Sequence, residues 1–158
     1  MNRDIKLNAA FVPASRATAN TTYNGTATVT DAVGIAVKNA KTAYVHINLG
    51  AVGATTVDYT LMASILAAPT AAGDLTAITG ATIQVVPGDA NTQKVVAVRI
   101  DRAALPVALQ SDPLYLYVKR VQVGAVATLD AVSIALTDHS ELPVLVKAGA
   151  AADVEALG

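Results

Sequence analysis

Leu49-Gly50-Ala51-Val52-Gly53-Ala54-Thr55 and Val123-Gly124-Ala125-Val126-Ala127-Thr128 are nearly the same passage, met twice in one chain. Each lies between stretches in which apolar and polar residues alternate, the period of a strand with one face in a core. The pattern predicts two β-hairpins of similar design, with their small-residue turns at one end of a sandwich. It reads as one turn solution used twice; Gly53, unmatched in the second copy, leaves duplication open.

The flanking strands read outward from these turns. In Tyr44 to Leu49, Val45, Ile47 and Leu49 share one face and Tyr44, His46 and Asn48 the other. In Thr56 to Ala63, Val57, Tyr59 and Leu61 oppose Asp58, Thr60 and Met62. Leu114, Leu116 and Val118 share a face that Val121 and Val123 leave, so a β-bulge at Lys119-Arg120 is expected to return all five to the core. Leu129 to Thr137 sets Val132, Ile134 and Leu136 against Ala131, Ser133 and Ala135, and the small residues imply close approach to another surface.

Elsewhere, Ala81 to Val86 and Thr92 to Ile100 predict a strand pair around the turn Pro87-Gly88-Asp89-Ala90-Asn91, with Val96, Val98 and Ile100 inward. Tyr23 to Thr30 and Ile35 to Val37 predict modest edge strands, Ile65 to Gly80 a long surface loop, and Asp101 to Gln110 a helical turn limited by Pro106. The expected fold is all-β: an antiparallel β-sandwich or jelly-roll-like barrel of about eight strands with an extended N-terminal arm. Residues 1–22 are the arm, 23–144 the sandwich domain and 145–158 an Ala- and Gly-rich C-terminal tail.

Composition narrows the function. Hydrophobic residues make up 53% of the 158 and charged residues 15%, with aromatics at 4% and no Trp, which predicts a core of small aliphatic side chains. A net charge of −1 lacks the basic footprint of a nucleic-acid binder. Without Cys there is neither a disulfide framework nor a thiolate metal site. No stretch approaches the roughly 18 apolar residues of a spanning helix, and the aromatics are too few for the girdles of an outer-membrane barrel. No nucleic-acid or membrane partner is expected, and the chain is expected to be soluble and made in the cytoplasm.

No motif carries catalysis, so the chain is expected not to be an enzyme and to use no cofactor. Asp138-His139-Ser140 holds the residue types of a hydrolase triad, but adjacent side chains cannot form a relay, and a polar turn is the better reading. His46 lies on the polar face of a strand, where solvent or a cross-strand partner suits it better than a metal. Asp89 and Asn91 lack the regular oxygen ligands of a calcium loop. Asp58, Asp74, Asp101 and Asp112 could pair for glycoside chemistry, though the aromatic platforms of sugar sites are scarce. Asn20-Thr21-Thr22 and Asn24-Gly25-Thr26 match the glycosylation sequon and read as Thr-rich composition. Arg3, Lys6, Phe11 and Arg16 on the arm, and Ile65 and Leu66 in the apolar loop, are the candidate partner contacts.

Tyr44 to Val144 resembles a group of small β-sandwich proteins encoded with the structural genes of tailed bacteriophages, many of them capsid decoration, or cement, proteins. The resemblance rests on the strand ending in a Gly-Ala turn (Val45 to Ala54), the return strand and loop (Val57 to Asp74), the Tyr-bearing basic strand (Leu114 to Val121) and the closing strand near Leu142-Pro143-Val144. It covers about two-thirds of the chain. Where relatives carry a polar Gln-Glu-Ser-Asp-like run after the second strand, this chain has the apolar Leu61 to Ala68, which suggests burial against another subunit.

The resemblance implies a virion protein on the capsid surface that binds the major capsid protein, as a dimer or trimer, and stiffens the shell. It implies no active site. A building block of a shell, tail or fibre and a carbohydrate- or receptor-binding module are the alternatives.

Overall fold

The computed structural model describes residues 6–16 and 21–137. Nine strands are present among them: β1 (Lys6–Arg16), β2 (Thr21–Tyr23), β3 (Ile35–Ala36), β4 (Thr42–Val52), β5 (Thr56–Ser64), β6 (Thr76–Val85), β7 (Gln93–Arg99), β8 (Tyr115–Val123) and β9 (Thr128–Thr137). They form two antiparallel sheets, β1-β9-β4-β7 and β2-β8-β5-β6, with β3 also on the free side of β8. Since β2 and β3 line the same edge of β8, they fill one strand position and the sandwich has eight.

The pairing follows one rule: β1 with β9, β2 and β3 with β8, β4 with β7, and β5 with β6. First pairs with last and the pairs nest inward, as in a long hairpin rolled onto itself, which is the jelly-roll topology. The roll is an open two-sheet sandwich, not a closed barrel.

The rolled topology corrects the expected hairpins. β4 and β5 lie in different sheets, as do β6 and β7, and β8 and β9. The turns at Gly53 to Thr55, Val86 to Thr92 and Gly124 to Ala127 therefore cross from sheet to sheet. Two strands that face each other across a core alternate in the same way as two that pair side by side, so periodicity does not separate the cases. The linker Gly53-Ala54-Thr55 spans about 10 Å at ~3.3 Å per residue, the distance between packed sheets. The true hairpin is β5–β6, and β6 begins at Thr76, inside the stretch expected as loop.

The two near-repeated turns meet at one end of the sandwich. The Gly53 amide donates to the Ala127 carbonyl at 3.0 Å and the Thr55 amide to the Val123 carbonyl at 2.9 Å. A Cβ on Gly53 would lie 2.4 Å from Val126 Cγ1 and 2.6 Å from the Ala127 oxygen, so only glycine allows this approach. Gly124 is required differently, by its φ of +94°.

Three further expectations change. The N-terminal segment is extended, yet it is no arm outside the domain: Lys6–Arg16 is the edge strand of the first sheet and buries Ala10 and Phe11. Only Tyr23 of the expected strand 23–30 lies in one. The chain turns at Asn24-Gly25, with both φ values positive, and a 3-10 turn follows at Val29–Asp31. Thr26 and Thr28 spend their hydroxyls on nearby groups, at the Tyr23 carbonyl and the Asp31 carboxylate, which opposes a ladder.

Finally, β8 has no bulge. It pairs with β5 in unbroken register from Thr56↔Val123 to Ser64↔Tyr115. Val121 and Val123 face out, while Arg120 and Gln122 continue the inward phase of Leu116 and Val118. The core around them is aliphatic, with Val45, Ile47, Leu61, Ile100, Val132, Ile134 and Leu136 all buried. On the outer side of the second sheet, Met62 and Tyr117 join Tyr23, Val29, Ala32 and Leu75 in a smaller cluster. The Tyr117 phenol donates to the Leu66 and Ala67 carbonyls, and burial pushes its pKa up to about 12.

Replacing Gly53 with Val should lower the unfolding free energy by about 1–3 kcal/mol in a urea titration, since the Ala127 backbone oxygen stands 2.6 Å from the new Cβ. Gly73→Ala is the control. Nothing lies within 4 Å of its new methyl, so stability should be unchanged within about 0.5 kcal/mol or rise slightly.

Candidate functional site

Two places gather unusual chemistry: a buried polar cluster between the sheets and the outer face of the β1-β9-β4-β7 sheet. The cluster centres on Asp130, which is 1% exposed. One carboxylate oxygen accepts Arg120 Nε at 2.7 Å and the Tyr59 hydroxyl at 2.5 Å, and the other accepts Arg16 Nη1. Arg120 also donates to Gln122 Oε1 at 2.6 Å, and Gln122 Nε2 donates to the carbonyls of Gly124 and Val126 in the sheet-crossing turn.

Register explains this convergence. Tyr59 and Arg120 sit opposite each other on β5 and β8, and Asp130 faces them from β9, beyond the turn. Burial raises the Tyr59 pKa, and the adjacent Asp130 charge raises it further, so the phenol stays a proton donor. The groups are absorbed in holding one another, and the carboxylate is sealed from solvent. The cluster is a structural tie.

The outer face of the first sheet is the stronger site. Residues directly opposite in an antiparallel pair share a face. The register therefore sets out rows: Leu7, Ala135, Tyr44 and Ala97, then Ala9, Ser133, His46 and Val95, then Ala131, Asn48 and Gln93, with Leu129 and Ser15 beyond. Among the described residues of these rows there is no Asp, Glu, Lys or Arg. Arg99 stands at the corner beside Thr42, with Asp101 at 3.6 Å. Leu7 is 67% and Leu129 42% exposed, Tyr44 and His46 are half-buried, and Val95 and Ala135 are nearly covered.

His46 lies in the middle of this face, with Gln93 Nε2 3.5 Å from its Nδ1, and burial lowers its pKa. Its expected place on an outward strand face holds. So does the placement of Ala131, Ser133 and Ala135 together on the side away from the core.

The candidate contacts divide. Phe11 is 1% exposed and fills the core, so it is not a surface contact. Arg16 turns inward to Asp130, lies 5.2 Å over the Phe11 ring and donates to the Val12 and Ala14 carbonyls, which makes it an internal latch for β1 instead of a free cation. Lys6 begins β1, and Arg3 and Asp138-His139-Ser140 lie outside the described residues. Ile65 and Leu66 are each 42% exposed, at the opposite end from the near-repeated turns, and the Gly34 amide, next in sequence to the 78% exposed Val33, donates to the Ala67 carbonyl at 3.4 Å.

The carboxylates considered for glycoside chemistry take separate partners: Asp58 with Gln84, Asp74 with the Thr70 and Ala71 amides, Asp101 with Arg99, and Asp112 with Arg102. The amides of Thr70 and Ala71 hold the Asp74 carboxyl below its usual range. Asp89 pairs with Lys94. Among the described residues, no group of three or more His, Asp or Glu could hold a metal. Asn24 of the second sequon is engaged at both ends of its amide, accepting the Val118 amide and donating to the Val33 carbonyl.

A shallow opening of ≈ 320 Å³ lies along the β6 and β7 edges, lined by Ile78, Gly80, Val98, Leu105 and Pro106, with Arg99 its charged residue. No helix among the described residues is long and apolar enough to cross a membrane. No family model and no curated protein matches the chain.

Asp130→Asn should cost about 3–5 kcal/mol of unfolding free energy, because it leaves Arg120 buried without a counter-charge. Arg16→Met, at the sheet edge, should cost about 1–2 kcal/mol. Urea titration of both variants checks the order, and a nearly neutral Asp130→Asn would refute the tie.

Proposed function

We propose that this chain is a structural virion protein that decorates a tailed-phage capsid, with the outer face of the β1-β9-β4-β7 sheet lying on the outer surface of the assembled shell and stiffening it. The observation that carries the reading is that face: four strands wide and without Asp, Glu, Lys or Arg among its described rows. Charged side chains are the ordinary means of keeping an exposed sheet solvated and single. A face that forgoes them suits contact with another surface, and Ala9, Ala97, Ala131, Ser133 and Ala135 allow that surface to come close.

Area decides between kinds of partner. Four strands ~4.8 Å apart and about seven residues long present roughly 450 Å². A stable pair of proteins buries about 800 Å² on each side. One such face therefore supports a weak contact. On a shell, the contact is repeated at every lattice position, and copies joined to one another bind through many weak contacts at once. The apolar loop end at Val33, Ile65 and Leu66 supplies a second surface for contact between copies, as a dimer or trimer. The jelly roll is frequent in shell proteins, and the resemblance to decoration proteins supports the same role.

Co-sedimentation with capsid shells lacking this protein tests the reading. The chain should bind saturably, raise the shell's melting temperature, and bind almost equally at about 50 and about 500 mM salt, since no charge pairs are there to screen. Asn48→Arg with Ala131→Arg should keep the fold and lose binding. Failure of the wild-type chain to bind would overturn decoration, and its spontaneous assembly into tubes or particles would favour a shell or tail building block.

A further inference from the structure

His46 lies at the centre of the rows that carry no Asp, Glu, Lys or Arg. Its cross-strand neighbours are Val95 on β7 and Ser133 on β9. Along β4 the same face carries Tyr44 and Asn48, and the diagonal positions are Gln93, Ala97, Ala131 and Ala135. β1, beyond β9, adds Leu7 and Ala9. Tyr44 is the other titratable group in these rows, and burial raises its pKa, so it stays neutral. Beyond the rows, at the corner beside Thr42, Arg99 stands four residues along β7 from Val95, roughly 13 Å at ~3.3 Å per residue, and it is paired with Asp101. No carboxylate within these rows is available to balance an imidazolium.

Uncovered, the ring can still charge, because it is only half-buried and water reaches it. Covered, an imidazolium would lose that water and gain no counter-ion from its own sheet. The docked state therefore requires the neutral ring unless the partner supplies a carboxylate. The salt-free, small-residue character of the surrounding rows fits a partner that supplies none.

We propose that the shell patch meeting this face is itself uncharged, offering His46 a neutral hydrogen-bonding group and no carboxylate, so that attachment is lost on acidification. The inference rests on the docking reading above and names the chemistry of the partner surface. The sign follows from linkage: the free chain takes up a proton that the docked chain cannot, so affinity falls as pH drops below the imidazole's value. Burial lowers that value from an ordinary histidine's. The fall is about tenfold for each unit of pH beneath it.

The test compares the wild-type chain and His46→Gln for binding to purified shells lacking this protein, by co-sedimentation at pH 7.5 and pH 5.0, with circular dichroism to establish that both remain folded. The wild type should bind measurably more weakly at the lower pH, while His46→Gln should bind alike at the two. Tighter binding at pH 5.0 would reveal a carboxylate opposite His46 and overturn the inference. Binding indifferent to pH, or a loss shared equally by His46→Gln, would also overturn it while leaving docking intact. No binding at pH 7.5 would overturn docking itself and the inference with it.

Discussion

Asp130 is a carboxylate with no access to water, and a buried charge is tolerated only when it is paired and fully hydrogen-bonded. Its partners come from three other strands: Arg16 from β1, Tyr59 from β5 and Arg120 from β8. The tie therefore joins both sheets and, among the described residues, the first strand to the last. An aliphatic core of Val, Leu, Ile and Ala is non-directional and would accept several registers. A single carboxylate that must meet two guanidiniums and a phenol accepts one.

The sheet-crossing turns follow from that register. Gln122 receives a hydrogen bond from Arg120 and passes two on to the carbonyls of Gly124 and Val126, so the second near-repeated turn is fixed from inside the core. The first turn then packs on it through Gly53 and Thr55. What looked like a repeated hairpin is a pair of crossings stacked on each other, and small residues recur because each must let the other approach.

Much of the fold was legible. Period-2 alternation located β4, β5, β7, β8 and β9 and the inward sets Val45-Ile47-Leu49 and Val132-Ile134-Leu136, because half-buried strands leave that signature whichever sheet they join. Sheet membership was not legible, since alternation is blind to whether the next strand pairs beside or packs across. The bulge expected at Lys119-Arg120 arose from assuming that valines go in and arginines stay out. The phase of Leu114, Leu116 and Val118 already pointed to Arg120 and Gln122, and ten residues on, across the turn, stands Asp130. An inward phase ending on polar residues, with an opposite charge on the next strand, was the signal for the tie. Arg16 and Phe11 were misplaced for a related reason: the irregular period around Pro13 hid an edge strand whose ladder with β9 shifts register twice. The outer face was partly visible in Ala131, Ser133 and Ala135, but its extent required knowing that β1 and β7 complete the sheet.

Stability and proposed role use opposite faces of the same sheet. Its inner side carries the Asp130 tie and the core, and its outer side carries uncharged rows that make little demand on the fold and are free to serve contact. Electron cryomicroscopy of shells saturated with this protein tests that division most directly. The expected density shows the sandwich with the outer face of the β1-β9-β4-β7 sheet against the shell and His46 inside the contact. Attachment through the Ile65-Leu66 loop end or the opposite sheet, with the first sheet facing solvent, would contradict it.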